Sequence, residues 1–301
     1  MTSQTSHCVV DVARMTALTN GSYVEHACSS DTPTIYKLTT VAFAGRTDAC
    51  EDVVIADSPT YGRMLFLEGE LQSAETDQVI YHEMLVQPVM AATAAIPNRK
   101  VLVVGGGEGA TVQEVLRWRD VSHVVWIDID EGLVNLCRRH LDWVENDLYN
   151  DPRVSFLAED IRTALVRFGQ FDVIILDLPD PDPKEVEPHG LYSRSFWELM
   201  YTHLAPGGAL VTHTGPVAPG ANEETYRSGL HFVKSAQRVE GTAYHMLIPS
   251  FQSEWGFWMS VPPTYGPFPS ECSVIDEEVL KTATTWSRYW SSSAVGTIRP
   301  L

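Results

Sequence analysis

Between Lys100 and Gly215 the chain alternates short runs of Val, Ile and Leu with segments of helical spacing. KVLVVG, SHVVWID, RVSFLAED, FDVIILD and GALVTHTG read as strands. The stretch from the glycine cluster to Trp118, then DEGLVNLCRRHL, DIRTALVRFG and SRSFWELMYTHL, read as the helices between them. A strand that is apolar at successive positions must be covered on both faces. The pattern therefore predicts an α/β fold with a doubly wound parallel sheet. In such sheets ligands bind beyond the carboxyl ends of the strands, so that is where chemistry is sought.

The flanks differ. Residues 1–33 are polar and without period, and read as a poorly ordered or partner-contacting arm. Residues 34–76 carry the β-rich runs YKLTTVAF, EDVVIAD and YGRMLFLEG, broken at Gly45, Ser58-Pro59 and Gly62, which predicts a small antiparallel β-sheet domain. Residues 77–301 form the catalytic domain in this division. It opens on a helix over DQVIYHEMLVQPVMAATAAI, with Val79, Met84 and Leu85 toward a core and Pro88 expected to kink or interrupt it. YHMLIPS and EWGFWMSV are read as further strands and EEVLKTATTWSRYW as a closing helix.

Composition excludes several functions. The 301 residues are 44% hydrophobic, enough for a sizeable core. Acidic side chains number 39 against 21 basic, a net charge of −18 that disfavours a nucleic-acid backbone and attracts cations, although acidity for solubility alone gives the same balance. The 5 cysteines are scattered with no C-x-x-C pair, so neither a disulfide framework nor a zinc site is signalled. No apolar run reaches membrane-spanning length, and the first segment lacks a basic, apolar leader. The expectation is a cytoplasmic protein with no membrane partner and no metal.

Gly105-Gly106-Gly107-Glu108-Gly109 follows an apolar strand and opens a helix, the context of a nucleotide-type bend, with Gly105 and Gly107 letting a ligand approach the backbone. Asp128 closes the next strand, where a carboxylate accepts hydrogen bonds from ribose hydroxyls. Asp160 follows the third strand in the same register; it or the neighbouring backbone amide of Ile161 can read an adenine edge, or Asp160 can simply cap a helix. Glu108 would repel a pyrophosphate, which disfavours NAD. It would attract S-adenosylmethionine, and more so the decarboxylated form, which lacks the carboxylate that would lie near it.

The fourth strand ends in Asp177-Leu178-Pro179-Asp180-Pro181-Asp182-Pro183. Prolines fix the backbone between the acids; the segment is either a solvated acidic turn or a site for a cationic reactant. An amine nucleophile suits it. An amine of pKa about 10.4 costs roughly 4.6 kcal/mol to present as free base at pH 7, so a base must assist. Asp177 ends the buried strand, and Asp180 close by would raise the pKa of one of the two, letting the pair orient an amine and accept its proton.

These residues resemble the spermidine/spermine synthase family of aminopropyltransferases. The resemblance runs from about Asp48 to Ser260, through YGRMLFLEGELQSAETDQVIYHEM, VLVVGGGEGATVQEVL and FDVIILDLPDP. GGGEG, IDIDEGLVNLCRRHL, GLYSRSFWE and IPSFQSEWGFWMS look most like the thermospermine-forming members. The resemblance implies a Rossmann-like, methyltransferase-type fold and transfer of an aminopropyl group from decarboxylated S-adenosylmethionine, a co-substrate rather than a bound cofactor, to a polyamine. Spermidine would become thermospermine and 5′-methylthioadenosine would be released. Spermidine synthase, spermine synthase, an amine N-methyltransferase and a non-enzymatic paralogue are the alternatives.

Carried over by motif, Asp177 is the general base, with Asp180 contacting the polyamine. Glu108 holds the aminopropyl end of the donor, Asp128 its ribose and Asp160 with Ile161 its adenine. Gln72, Tyr81 and His82 line the junction of donor and acceptor; by itself His82 would read as a core histidine. Two positions depart from the family pattern: Glu51 stands where most members have glutamine, adding charge near the nucleoside, and Phe251 where many spermidine synthases have tyrosine. A loop over Pro183 to Gly190 is expected to close over the reactants. Exposed strand edges in the small sheet, with the resemblance, imply a homodimer or homotetramer.

Overall fold

The computed structural model describes residues 21–25, 33–180, 190–217 and 241–286. Most of the N-terminal arm, Asp182, most of the loop from Pro183 to Gly190 and the end of the closing helix lie outside them. The chain divides between Thr76 and Asp77 into two compact units.

In the first unit β1 (Ser22–Glu25) pairs antiparallel with β2 (Thr34–Lys37). This corrects the reading of residues 1–33 as an arm throughout. Buried Tyr23 lies 4.2 Å from Phe66, ring to ring, and the buried Glu25 carboxylate accepts from the Tyr36 hydroxyl (2.9 Å) and the Leu71 amide (2.7 Å). The sequence was too polar to show a strand because its inward charge is satisfied only by residues distant in the chain. β3 (Thr40–Gly45), β4 (Val53–Ser58), β5 (Gly62–Leu67) and β6 (Glu70–Ala74) form an antiparallel meander in that order. Glu68 and Gly69 join β5 to β6 with φ of 50° and 86°, the left-handed pair of a tight hairpin turn. Glu68 tolerates this because its carboxylate is used: Oε1 accepts from the amides of Glu51 (2.7 Å) and Asp52 (3.3 Å).

The second unit opens on α1 (Gln78–Ala92). Then follow β7 (Arg99–Gly105), α2 (Ala110–Leu116), β8 (Val121–Asp128), α3 (Glu131–His140), β9 (Val154–Ala158), α4 (Ile161–Ala164), β10 (Phe171–Asp177), α5 (Arg194–Thr202) and β11 (Leu204–Pro216). β12 (Thr242–Ile248), β13 (Ser253–Met259) and α6 (Glu277–Ala283) complete it. The sheet order is β9-β8-β7-β10-β11-β13-β12, parallel from β9 to β11 and antiparallel at both β13 pairings. The strand order reverses direction between β7 and β10, the switch point where ligands bind in such sheets.

Alternate strand residues feed two cores. Val101, Val103, Trp126, Val173, Ile175 and Val211 pack with α1, α2 and α6, whereas Leu102, Val104, Val125, Ile174, Leu176 and Leu210 pack with α4 and α5. Both faces are thus covered, as continuous apolar runs require.

α1 runs through Pro88 without interruption. Proline removes the amide that would bond the Met84 carbonyl. The Tyr244 hydroxyl from β12 donates to that carbonyl at 3.0 Å instead, and every α1 residue from Tyr81 to Ala91 is buried. Glu83, within YHEM, points away from the chemistry: its fully buried carboxylate accepts from the amides of Ser273 (2.8 Å), Val274 (2.8 Å) and Ile275 (2.9 Å) and pairs with Arg117 at 3.1 Å. Glu83→Ala orphans these donors together, and a loss of about 3 kcal/mol in unfolding free energy is expected from urea denaturation. A loss under 1 kcal/mol would mean the segment 273–275 is held by other contacts.

Candidate active site

The glycine bend is shaped by the protein's own strand. Gly105 and Gly106 have φ of 79° and 65°, and a Cβ on Gly105 would lie 2.1 Å from the Asp177 carbonyl oxygen. The Gly106 amide donates to that same oxygen at 2.8 Å. The first two glycines are therefore demanded by close approach of β7 to the end of β10, where Gly105 and Asp177 face each other in register. Gly107, by contrast, leaves room near Asp128: a Cβ there would sit 3.2 Å from Asp128 Oδ2.

Asp177 is held at both oxygens. The Tyr81 hydroxyl donates to Oδ1 at 2.8 Å and the Thr111 hydroxyl to Oδ2 at 2.6 Å. Burial, then the charge of Asp177, pushes the Tyr81 phenol well above its ordinary range, so it stays a donor. Thr111 was missed from sequence. Its signal was a hydroxyl in the first turn of the helix that opens at the glycine bend.

Glu108 is 8% exposed, and its Oε1 pairs with His82 Nε2 at 2.6 Å. Its Oε2 is buried without a hydrogen-bond partner among the described residues. The Gln78 carbonyl lies 2.7 Å from His82 Nδ1, so that nitrogen must donate. Burial pulls the imidazole down, but the Glu108 charge and hydrogen bond, with Asp177 and the Gln78 carbonyl, outweigh it and raise His82 to about 9. His82 is thus an imidazolium at neutral pH, neither a neutral core histidine nor an available base.

Because its folded pKa lies above the ordinary 6.5, its contribution to stability is complete below pH 6.5 and is lost as pH rises through about 9. That contribution is roughly 3 kcal/mol. Unfolding midpoints are expected to fall across this window in the wild type and to flatten in His82→Gln; an equal slope in both would place the dependence elsewhere.

Asp128 ends β8, and its Oδ1 accepts from the Asp130 amide at 2.8 Å. Burial, reinforced by the nearby charges of Asp130 and Asp177, raises it to about 6. Asp160 caps α4, accepting from the Arg162 amide at 2.8 Å, and its carboxylate also grips the Arg162 guanidinium, which holds its carboxyl below the usual range. The capping reading is therefore realised in the structure; Ile161, buried, is the first residue of the helix it caps.

Asp180 is exposed beyond β10, with His213 Nδ1 3.4 Å from its Oδ1. His213, 3% exposed at the end of β11, was not singled out from sequence. The strand-end rule could have found it. Its ring stacks on Trp255 at 6.2 Å and meets the Tyr81 edge at 5.9 Å. Phe251 lies 4.7 Å from Trp255 and 6.2 Å from Tyr81, making an aromatic wall beside the acids.

Gln72 and Glu51 belong to the first unit. Gln72, exposed on β6, donates to the Glu70 carbonyl at 3.3 Å. Glu51 is exposed in the turn before β4, its carboxylate 3.8 Å from Arg46.

Among the described residues no cluster of three His, Cys, Asp or Glu could hold a metal, and no helix is long and apolar enough to cross a membrane. The second unit thus gathers Glu108, Asp128 and Asp177 beside one glycine bend, with Tyr81 and His82 bonded to two of them. The arrangement can receive a nucleoside that carries positive charge and, next to it, an amine.

Comparisons with known proteins agree. The chain is 40% identical over 233 residues to polyamine aminopropyltransferase 2 of Pseudomonas aeruginosa, covering 75% of this chain and 63% of that protein, so it spans somewhat under two thirds of that relative. It is 35% identical over 230 residues to a polyamine aminopropyltransferase of Aeropyrum pernix, covering 75% and 71%. It is 33% identical over 242 residues to thermospermine synthase ACAULIS5 of Arabidopsis thaliana, covering 79% and 69%. In fold it matches spermidine synthase of Thermotoga maritima with a TM-score of 0.77 at 22% identity over 89% of this chain and 92% of that one. It also matches a spermidine synthase solved with the transition-state analogue AdoDATO, with a TM-score of 0.78 at 23% identity over the same shares. Residues 78–265 match the spermine/spermidine synthase domain, and the chain belongs to that family.

Proposed function

We propose that the protein transfers the aminopropyl group of decarboxylated S-adenosylmethionine to a polyamine amine, with spermidine as acceptor and thermospermine as product. The observation that carries this is Glu108. A buried carboxylate with one oxygen paired to His82 and the other unbonded among the described residues suits an ammonium and opposes a second carboxylate. Intact S-adenosylmethionine would bring that carboxylate, which disfavours methyl transfer. The relatives named as aminopropyltransferases, and the IPSF sequence at Phe251, support the same reading.

In this reading Glu108 Oε2 accepts the donor's ammonium, Asp128 its ribose hydroxyls, and Asp160 with Ile161 its adenine. Gly107 makes room for the nucleoside, while Gly105 keeps β7 against Asp177. Tyr81 and Thr111 orient Asp177 so that its remaining lone pairs face the acceptor, which Asp180 draws in by charge. The neutral amine nitrogen attacks the methylene beside sulfur. A C–N bond forms, the C–S bond breaks with its electron pair passing to sulfur, and 5′-methylthioadenosine leaves. Two cations meet in an acidic cleft and charge is lost at sulfur, so positioning and preorganised carboxylates supply most of the acceleration. Among the described residues the outer strands β3 and β6 leave edges that a second copy can cover, which fits a homodimer or homotetramer.

Incubation with each donor and a panel of putrescine, spermidine and spermine tests the reading. Methylthioadenosine and thermospermine are expected; a methylated amine from intact S-adenosylmethionine would overturn it. Spermidine from putrescine, or spermine from spermidine, would retain the chemistry and correct the acceptor.

A further inference from the structure

Each oxygen of Asp177 already accepts a hydroxyl hydrogen bond, which leaves it little capacity to keep a transferred proton. Asp177 can orient an amine and take its proton in passing, but the proton needs a place to stay. His82 cannot supply it, being an imidazolium already bonded at both nitrogens.

Among the described residues His213 is the other imidazole at these strand ends. It follows Thr212, which pairs in register with Leu176, so it lies level with Asp177 on the neighbouring strand. Its Nε2 meets the Leu178 carbonyl, which only accepts, so Nε2 carries a hydrogen. In the neutral ring Nδ1 is then a bare lone pair. That lone pair is buried, makes no hydrogen bond among the described residues, and sits 3.4 Å from Asp180 Oδ1, acceptor against acceptor. A proton on Nδ1 would turn this mismatch into an ion pair with Asp180 and leave both ring nitrogens donating. The surroundings suit the charged ring: Trp255 stacks on it, and the Asp180 carboxylate stands 3.4 Å from Nδ1. Tyr81 and His82 on α1, Tyr192 before α5, Glu108 in the glycine bend and Asp128 at the end of β8 are further titratable groups at this end of the sheet; Glu254 on β13 is engaged with His245 at 2.9 Å.

We propose that His213 Nδ1 is the acceptor of the proton lost by the polyamine nitrogen, delivered through the Asp177 and Asp180 carboxylates. The balance is simple: the bound ammonium gives one proton to Nδ1, becomes the neutral nucleophile, and His213 becomes an imidazolium that later returns the proton to water through half-exposed Asp180. The inference rests on the aminopropyl-transfer reading above, with the amine as nucleophile.

The test uses His213→Gln and His213→Ala in the full chain. Glutamine can still donate to the Leu178 carbonyl but cannot hold a proton, so it separates proton acceptance from support of the loop. Expected are a fall in kcat of about 10²-fold in both variants, methylthioadenosine affinity within about twofold of wild type, and a changed pH profile of kcat. Added imidazole should restore part of the His213→Ala rate and none of the Asp177→Asn rate. Wild-type kcat with an unchanged pH profile in His213→Gln would overturn the assignment and leave His213 a loop support, whether or not the alanine variant folds. If the wild type transfers no aminopropyl group, the proposed function itself has failed and this assignment falls with it.

Discussion

Asp177→Asn should lower kcat by roughly three orders of magnitude, within the range that a positioned base contributes, while methylthioadenosine binds within a few-fold of wild type. The asymmetry follows from geometry. Asp177 is gripped by Tyr81 at 2.8 Å and Thr111 at 2.6 Å from one side, so its free lone pairs serve whatever lies across the site, and nothing in that grip contributes to holding the nucleoside. An asparagine must also turn its NH2 toward one of those hydroxyls, which would then have to accept where it now donates. Rapid-quench measurement of a single turnover with preloaded donor isolates the effect. A comparable loss in methylthioadenosine affinity would move Asp177 from the reaction to the binding of the donor.

Glu108→Gln should weaken binding of decarboxylated S-adenosylmethionine by about 10²-fold, the cost of about 3 kcal/mol typical for removing one partner of a buried charge pair. Methylthioadenosine carries no ammonium and should bind nearly as before. Intact S-adenosylmethionine should gain relative to the decarboxylated donor, because the amide no longer repels its carboxylate. His82 sharpens the effect: the Glu108 charge and hydrogen bond are what lift it to about 9, so in the variant it reverts toward a neutral ring. Calorimetric titration of the three ligands reads all of this at once. Equal weakening for all three would show that Glu108 shapes the bend rather than reads the ammonium.

Much of the fold was legible because its causes are local. The apolar runs of β7, β8 and β10 announce strands covered on both faces, and the observed sheet has those strands adjacent with both faces packed. The glycine bend and the acids at the strand ends were legible for the same reason, since strand periodicity alone dictates which residue stands at the carboxyl end. β1 and the unbroken course of α1 were not. Each depends on a polar group satisfied from far along the chain: Glu25 by the Leu71 amide, and the Met84 carbonyl by the Tyr244 hydroxyl.

The roles within the site divide in the same way. Sequence by itself determined that carboxylates line the ends of a parallel sheet, because alternation, chain direction and residue type are local properties. Only the tertiary structure decided which of them is bonded to what: Glu108 to His82, Asp177 to Tyr81 and Thr111, Asp160 to its own helix and Arg162, Glu83 to a segment far from the chemistry. It also brought His213 beside Asp180, a pair whose meaning lies in a lone pair left bare at 3.4 Å. A side chain's charge and basicity are set by the groups within a few ångströms of it, and those neighbours come from elements that meet only when the sheet is assembled.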